Sequence, residues 1–191
     1  GLRAKRADGA TALLGSGFLS TEEAWLLRRL AGFVETPHCS VWTDSGPARA
    51  IPNPAGGIVG REAAPNRRGA ELAGLVAEEG ALDAEALLLG DGASRCATLL
   101  VADSDFGKAA HDPKIVERLR AARFLAVMGW ADTPLARAAD LVLPVATHAE
   151  RDGTFVNAYH NSDAVIHAAA AASLQVMQDR LSDVVREARA I

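Results

Sequence analysis

Ala138-Ala139-Asp140-Leu141-Val142-Leu143-Pro144, continued by Val145-Ala146-Thr147-His148-Ala149-Glu150-Arg151-Asp152-Gly153-Thr154-Phe155-Val156-Asn157, is the stretch whose reading decides the fold. Leu141, Val142 and Leu143 form an unbroken apolar run closed by Pro144, and a strand without alternation is what a parallel sheet covered on both faces requires. Such a strand needs helical layers above and below it. The polar residues from His148 to Thr154 then fall at its carboxyl end, where open α/β sheets place ligands or partners. The expectation is a buried strand in the middle of a parallel sheet, with an exit loop that meets a partner. An uncovered border position would overturn that reading.

Working outward toward the amino terminus, Phe124 to Gly129 reads as another buried strand. Thr133-Pro134 and Asp112-Pro113 each place a capping side chain before a proline at the first helical position. The second of these opens a helix with Ile115, Val116, Leu119 and Ala122 as its buried stripe. Ala97 to Ala102 is a further strand, ending in Asp103-Ser104-Asp105-Phe106-Gly107. Glu85 to Leu89 fits either a strand or the end of a helix, and Asn66 can cap a short helix over Arg67 to Val76. Asp44 to Pro65 is dense in proline and glycine and reads as a long surface connection.

At the front, Ala10 to Leu14 is a strand ended by Gly15-Ser16-Gly17. Ser20-Thr21-Glu22-Glu23 fits the capping box of a helix running to Val34, with Ala24, Leu27, Leu30, Ala31 and Val34 on one face. His38 to Thr43 is the second strand. This alternation of strand and helix specifies an α/β fold, a mostly parallel sheet with helices on both faces. Leu174, Met177, Leu181, Val184, Val185 and Ala188 mark a last amphipathic helix.

Composition bounds the function classes. The 191 residues suffice for one large α/β domain, and with 49% hydrophobic and 23% charged residues the chain has the makeup of a globular protein. A formal net charge of -4 offers no electrostatic footprint for nucleic acid. Cys39 and Cys96 form no C-x-x-C and supply too few ligands for a zinc or iron-sulfur site, so both read as reduced, buried residues of a cytosolic protein. No apolar run is long enough to cross a bilayer, and no apolar core of a signal peptide follows Gly1 to Arg6. The chain is read as a piece of a longer polypeptide.

Several constellations invite chemistry. Gly15-Ser16-Gly17-Phe18-Leu19-Ser20, between a strand and a helix, approaches the dinucleotide fingerprint, with Asp44 where a ribose-binding acid would lie. Ser20 in place of the third glycine favours a tight turn and a cap instead. Asp103 and Asp105 lack a third ligand and read as turn residues. His148, Glu150 and Asp152 include general acid-base types, but no nucleophile motif accompanies them. His38, His111, His160 and His167 have no metal-ligand spacing and read as surface or capping residues.

Ala138-Ala139-Asp140-Leu141-Val142-Leu143-Pro144 with Glu150-Arg151-Asp152-Gly153-Thr154-Phe155-Val156-Asn157 resembles the molybdopterin oxidoreductase superfamily. Within it the resemblance is to the large G subunit of NADH-quinone oxidoreductase, respiratory complex I. Ala64-Pro65-Asn66-Arg67-Arg68-Gly69-Ala70 is similar to that subunit's "P-N-x-R-G-A" segment, and Leu13 to Ser16 with Glu22-Glu23 to its strand and "x-x-E-E" helix. The spacing from Leu99 through the Asp112 helix to Phe124 agrees as well. Where the family continues into Glu-Gly-Arg, this chain has Ala158-Tyr159-His160-Asn161, so an arginine that would help to hold an anionic cofactor or a neighbouring segment is absent.

The resemblance implies a Rossmann-like, molybdopterin-oxidoreductase-type domain over residues 1–191. It implies a structural domain without catalytic, cofactor-binding or metal residues of its own, inside a complex that moves electrons from NADH to quinone through iron-sulfur clusters elsewhere in the parent subunit. Its partners would be other peripheral-arm subunits, with no nucleic acid and no direct membrane insertion, and its place cytoplasmic, peripheral to the inner membrane. The alternative is the cofactor-binding part of a molybdopterin guanine dinucleotide oxidoreductase such as a formate dehydrogenase-like enzyme, with residues 15–20, 103–105 and 148–154 lining the dinucleotide. An autonomous nucleotide-binding module is a third possibility.

Overall fold

In the computed structural model, which describes residues 9–43, 49–50, 58–59, 64–102, 109–147, 150 and 153–156, the apolar run at the front becomes strand β1 (Ala10–Ser16), buried from Thr11 onward. Helix α1 (Thr21–Phe33) follows and buries Thr21, Ala24, Leu27 and Ala31, the face that the three-to-four spacing lays out. Strand β2 (Cys39–Trp42) returns parallel to β1, with Leu13 beside Cys39 and Ser16 beside Trp42. The long connection holds a two-stranded antiparallel ribbon, β3 (Arg49–Ala50) and β4 (Ile58–Val59).

Helix α2 (Arg67–Leu72) is shorter than the expected span to Val76. Gly74 stops it at φ +86, with its amide donating to the Glu71 carbonyl and the Leu75 amide to that of Ala70, the paired bonds of a Schellman end. The ambiguous segment is helical, α3 (Ala84–Leu88), because Asp83 accepts a hydrogen bond from the Ala86 amide and so starts a helical turn. Then come β5 (Cys96–Ala102), α4 (Pro113–Arg120), β6 (Leu125–Gly129), α5 (Pro134–Ala138) and β7 (Leu141–Pro144). Asp112 and Thr133 cap α4 and α5 ahead of their prolines, as the sequence pattern predicts.

The five long strands form one parallel sheet in the order β2-β1-β5-β6-β7. Ala12, Leu14, Leu99, Val101, Leu125 and Val127 face α3, α4 and α5 on one side. Leu13, Leu100 and Ala126 face α1 and the Ala70–Leu75 region on the other. Helices on both faces make this the expected α/β architecture. All seven residues of β5 are buried, and each buried Leu or Val in this layer contributes about 1.5–3 kcal/mol over its exposed state.

The central position expected for Leu141–Pro144 is corrected by this order. Among the described residues β7 is a border strand paired with β6 alone, and all four of its residues are exposed, Leu141, Val142 and Leu143 by 42%, 44% and 41%. The middle of the layer belongs to β5. The apolar run records what the strand is made of, while its neighbours follow from the crossovers: β1 leads outward to β2 on one side, and β5, β6 and β7 step outward on the other. The amphipathic pattern from Leu174 to Ala188 lies outside the described residues.

Candidate functional site

The crossovers leave β1 and β5 in opposite directions, so the crevice beyond their carboxyl ends is where an open α/β sheet would hold a ligand. On the β1 side the chain leaves through Gly17-Phe18-Leu19 into α1, the segment similar to a dinucleotide turn. Its main-chain groups are taken up by the protein itself. The Gly17 amide donates to the Trp42 carbonyl at 2.9 Å, the Asn66 amide to the Gly17 carbonyl at 2.9 Å, and the Phe18 amide to Ser16 Oγ at 3.1 Å.

At the start of α1 the capping box predicted from Ser20-Thr21-Glu22-Glu23 is present. The Glu23 amide donates to Ser20 Oγ at 3.2 Å and the Ser20 amide to Glu23 Oε2 at 2.7 Å. The Thr21 amide donates to the Thr154 carbonyl at 2.9 Å, and the Thr154 amide to Glu22 Oε2 at 2.8 Å. Two carboxylates therefore occupy the positive end of the helix. A pyrophosphate brought here would meet their charge and find these amides already bonded.

Asn66 holds this corner together. It is the N-cap residue of α2, yet its side chain makes no capping bond and is fully buried. Asn66 Nδ2 donates to the Leu19 carbonyl at 2.7 Å and to Thr21 Oγ1 at 3.3 Å, and Asn66 Oδ1 accepts from the Val156 amide at 2.6 Å. Asn66 stands at the expected N-cap position, but its carboxamide reaches across the corner, where it satisfies the buried Leu19 carbonyl and the part-buried Val156 amide.

Two glycines make room for this arrangement. A Cβ on Gly69 would run into Asn66 Oδ1 and Thr21 Oγ1, and one on Gly153 would lie 2.5 Å from Ser20 Cβ. The glycines of the turn serve packing as well: a Cβ on Gly15 would meet Leu75 at 2.7 Å and one on Gly17 would meet Thr43 at 2.5 Å. Residues 20–23, 66–69 and 153–156, far apart in the chain, thus form one interlocked unit.

Other residues singled out in the sequence have local tasks. The Asp140 carboxylate accepts from the Leu125 amide at 2.8 Å and from Arg120 at 3.1 Å, pinning the start of β7 to β6. Glu150 Oε2 accepts from the amide and the hydroxyl of Thr147, each at 2.9 Å, and these bonds hold its pKa below the ordinary carboxylate value. His38 Nδ1 accepts the Leu82 amide at 3.0 Å, and its pKa is lowered by burial first and by Arg95 second. His111 ends a short 3-10 turn and is exposed. Cys39 and Cys96 are unpaired and buried, and burial pushes their thiols up to about 12 and about 11. Asp44, Asp103, Asp105, His148, Asp152, Asn157, His160 and His167 lie outside the described residues.

No family model, curated protein or solved structure matches the chain. Its function is therefore read from geometry. The corner assembles a carboxamide, carboxylates, hydroxyls and main-chain amides bonded to one another, an arrangement that joins chain segments. Beside it, Leu19, Leu26, Leu30 and Met128 line an apolar hollow of about 190 Å³ between α1 and the β6 side of the sheet. Among the described residues no group of three or more His, Cys, Asp or Glu side chains is placed to hold a metal ion, and no helix is long and apolar enough to cross a membrane. Sequence reasoning missed Asn66 as the hub. Its only signal was membership of the Pro65-Asn66-Arg67-Arg68-Gly69-Ala70 segment, since a buried carboxamide is indistinguishable in sequence from a cap.

Proposed function

We propose that the chain is a structural, non-catalytic α/β domain of the G subunit of NADH-quinone oxidoreductase, respiratory complex I, cytoplasmic and peripheral to the inner membrane through the complex. In this reading it supports NADH-to-quinone electron transfer carried by clusters elsewhere and packs against other peripheral-arm subunits. One observation carries the proposal. Three of the segments on which the resemblance rests, Glu22-Glu23, Asn66 to Gly69 and Gly153-Thr154, meet at the start of α1 and bond to or pack against one another there. A scaffold has use for such a joint, whereas a dinucleotide site needs those amides free and the carboxylates removed. At the start of α1 the carboxylates of Glu22 and Glu23 disfavour the phosphates of a molybdopterin guanine dinucleotide, which supports the scaffold reading. The border position of β7 overturns the central strand on which the reading first relied, and the reading now rests on the convergence at α1 alone.

Blue-native electrophoresis of membranes from the native source, probed with an antibody to this chain and stained for NADH dehydrogenase, tests the proposal. Co-migration of the two signals, with molybdenum far below stoichiometric in the purified complex, is expected. A chain that runs apart from the stained band, or that purifies with one molybdenum per copy, would overturn it.

A further inference from the structure

The apolar hollow of about 190 Å³ beside α1 marks a gap in one layer of the fold. On one side of the sheet α3, α4 and α5 lie over β1, β5 and β6. On the other, α2 packs toward β2 and α1 lies over β1 and β5, and among the described residues no helix follows α1 in the direction of β6. A parallel sheet is ordinarily covered on both faces. The flank of α1 that faces the gap is apolar: Ala24, Leu27 and Ala31 seat the helix, while Leu26 and Leu30, one turn apart, are only partly buried and line the hollow with Met128 and Val145. Among the described residues Glu23 is the one charged side chain in that lining, and its carboxylate accepts from the Ser20 amide at 2.7 Å. Leu141 and Leu143 are not in the lining, so the hollow can be filled with the border strand still open.

The chain itself supplies an occupant. It leaves the corner at Val156, whose amide donates to Asn66 Oδ1, and Asn66 Nδ2 holds the carbonyl of Leu19, a residue of the lining. The tether therefore starts beside the hollow. From Val156 the chain can reach at most about 60 Å before Leu174, so length does not restrict it. Leu174, Met177, Leu181, Val184, Val185 and Ala188 then share one face of a helical pattern, with Asp179, Asp183 and Arg186 on the opposite face. Wound as a helix, Leu174 to Ala188 is about 22 Å long, close to the roughly 20 Å of α1. A tether also holds such a segment at an effective concentration of about millimolar, which neither a second copy nor a free partner enjoys.

We propose that the segment from Leu174 to Ala188 docks as a helix in this hollow, its apolar face against Leu26, Leu30 and Met128. The proposal does not depend on the complex I reading. Met128 and Met177, the two methionines of the chain, lie on opposite sides of the contact. Carbon-13 labelling of their methyl groups in the full chain, assigned by Met128→Leu and Met177→Leu, reads it from both sides. Both methyls should be shielded from a soluble gadolinium chelate, independently of chain concentration. Leu181→Asp, which leaves the described core untouched, should lower the docking equilibrium about ten-fold, the loss of one buried leucine, and expose both methyls. Leu26→Glu, on the other side of the contact, should expose Met177, and Asp183→Asn, on the polar face, should change neither signal. Shielding of Met128 unmoved by Leu181→Asp, a Met177 exposed in the unaltered chain, or shielding lost on dilution, which would give the hollow to a second copy, would overturn the proposal.

Discussion

The corner at the start of α1 and the border strand β7 are both built from segments that stand out in the sequence, yet they end in opposite conditions. At the corner, the polar side chains of Ser20, Thr21 and Asn66 are buried and bonded to one another or to backbone. At the border, Leu141, Val142 and Leu143 lie open. Burial thus follows position in the sheet more than hydrophobicity of the segment. Buried polar groups can be held by full mutual satisfaction, whereas an apolar border strand awaits cover, since exposed edges are ready sites for pairing or packing. Pro144, without an amide hydrogen, closes that edge.

Asn66→Leu attacks the corner most directly, because it takes the side-chain partner from the buried Leu19 carbonyl and from the part-buried Val156 amide. A loss of about 3 kcal/mol is expected, read from the urea midpoint together with faster hydrogen exchange at the Val156 amide. A loss below ~1 kcal/mol would show that the corner is no tighter than the border. Gly153→Val should cost about 2 kcal/mol, since its Cβ would press on Ser20. Normal stability in that variant would mean that residues 153–156 leave α1 without penalty. Ser20→Ala removes half of the capping box and should cost about 1 kcal/mol, with faster exchange of the Glu23 amide.

The border is expected to answer differently. Leu143→Lys places a charge on a residue already 41% exposed and should change stability by no more than about 0.5 kcal/mol. A substantially larger loss in thermal unfolding would show that something covers β7 in solution, and the contrast with the corner would fail.

The pH response gives the mildest test. His38 is held below its ordinary value of 6.5, so as pH falls through that value the unfolded imidazole takes up its proton before the folded one does. Stability is full above the ordinary value and declines below it, until the folded group protonates as well. His38→Gln should flatten this part of the stability profile, and an unchanged slope would assign the acid sensitivity to another group.

The elements themselves were legible because their signals are local. Ser20 and Glu23 lie three residues apart and cap the same turn, while Asp112-Pro113 and Thr133-Pro134 start their helices with no help from distant chain. Glu85 to Leu89 was not legible, because a short apolar run suits a strand or a buried helix equally until Asp83 bonds the Ala86 amide. The turn at Gly15 to Ser20 was read correctly as a turn and cap, since Ser20 interrupts the glycine pattern, but no local signal showed that Thr154 and Glu22 close it.

From the sequence alone came the alternation of strand and helix, the caps and the apolar faces, because each depends on residues within a turn or two of one another. The tertiary structure decided the order β2-β1-β5-β6-β7, the border position of Leu141 to Pro144, and the meeting of Glu22, Asn66 and Thr154. Those outcomes depend on which crossover turns which way and on which distant backbone groups need a partner, quantities that exist only when the whole chain is packed.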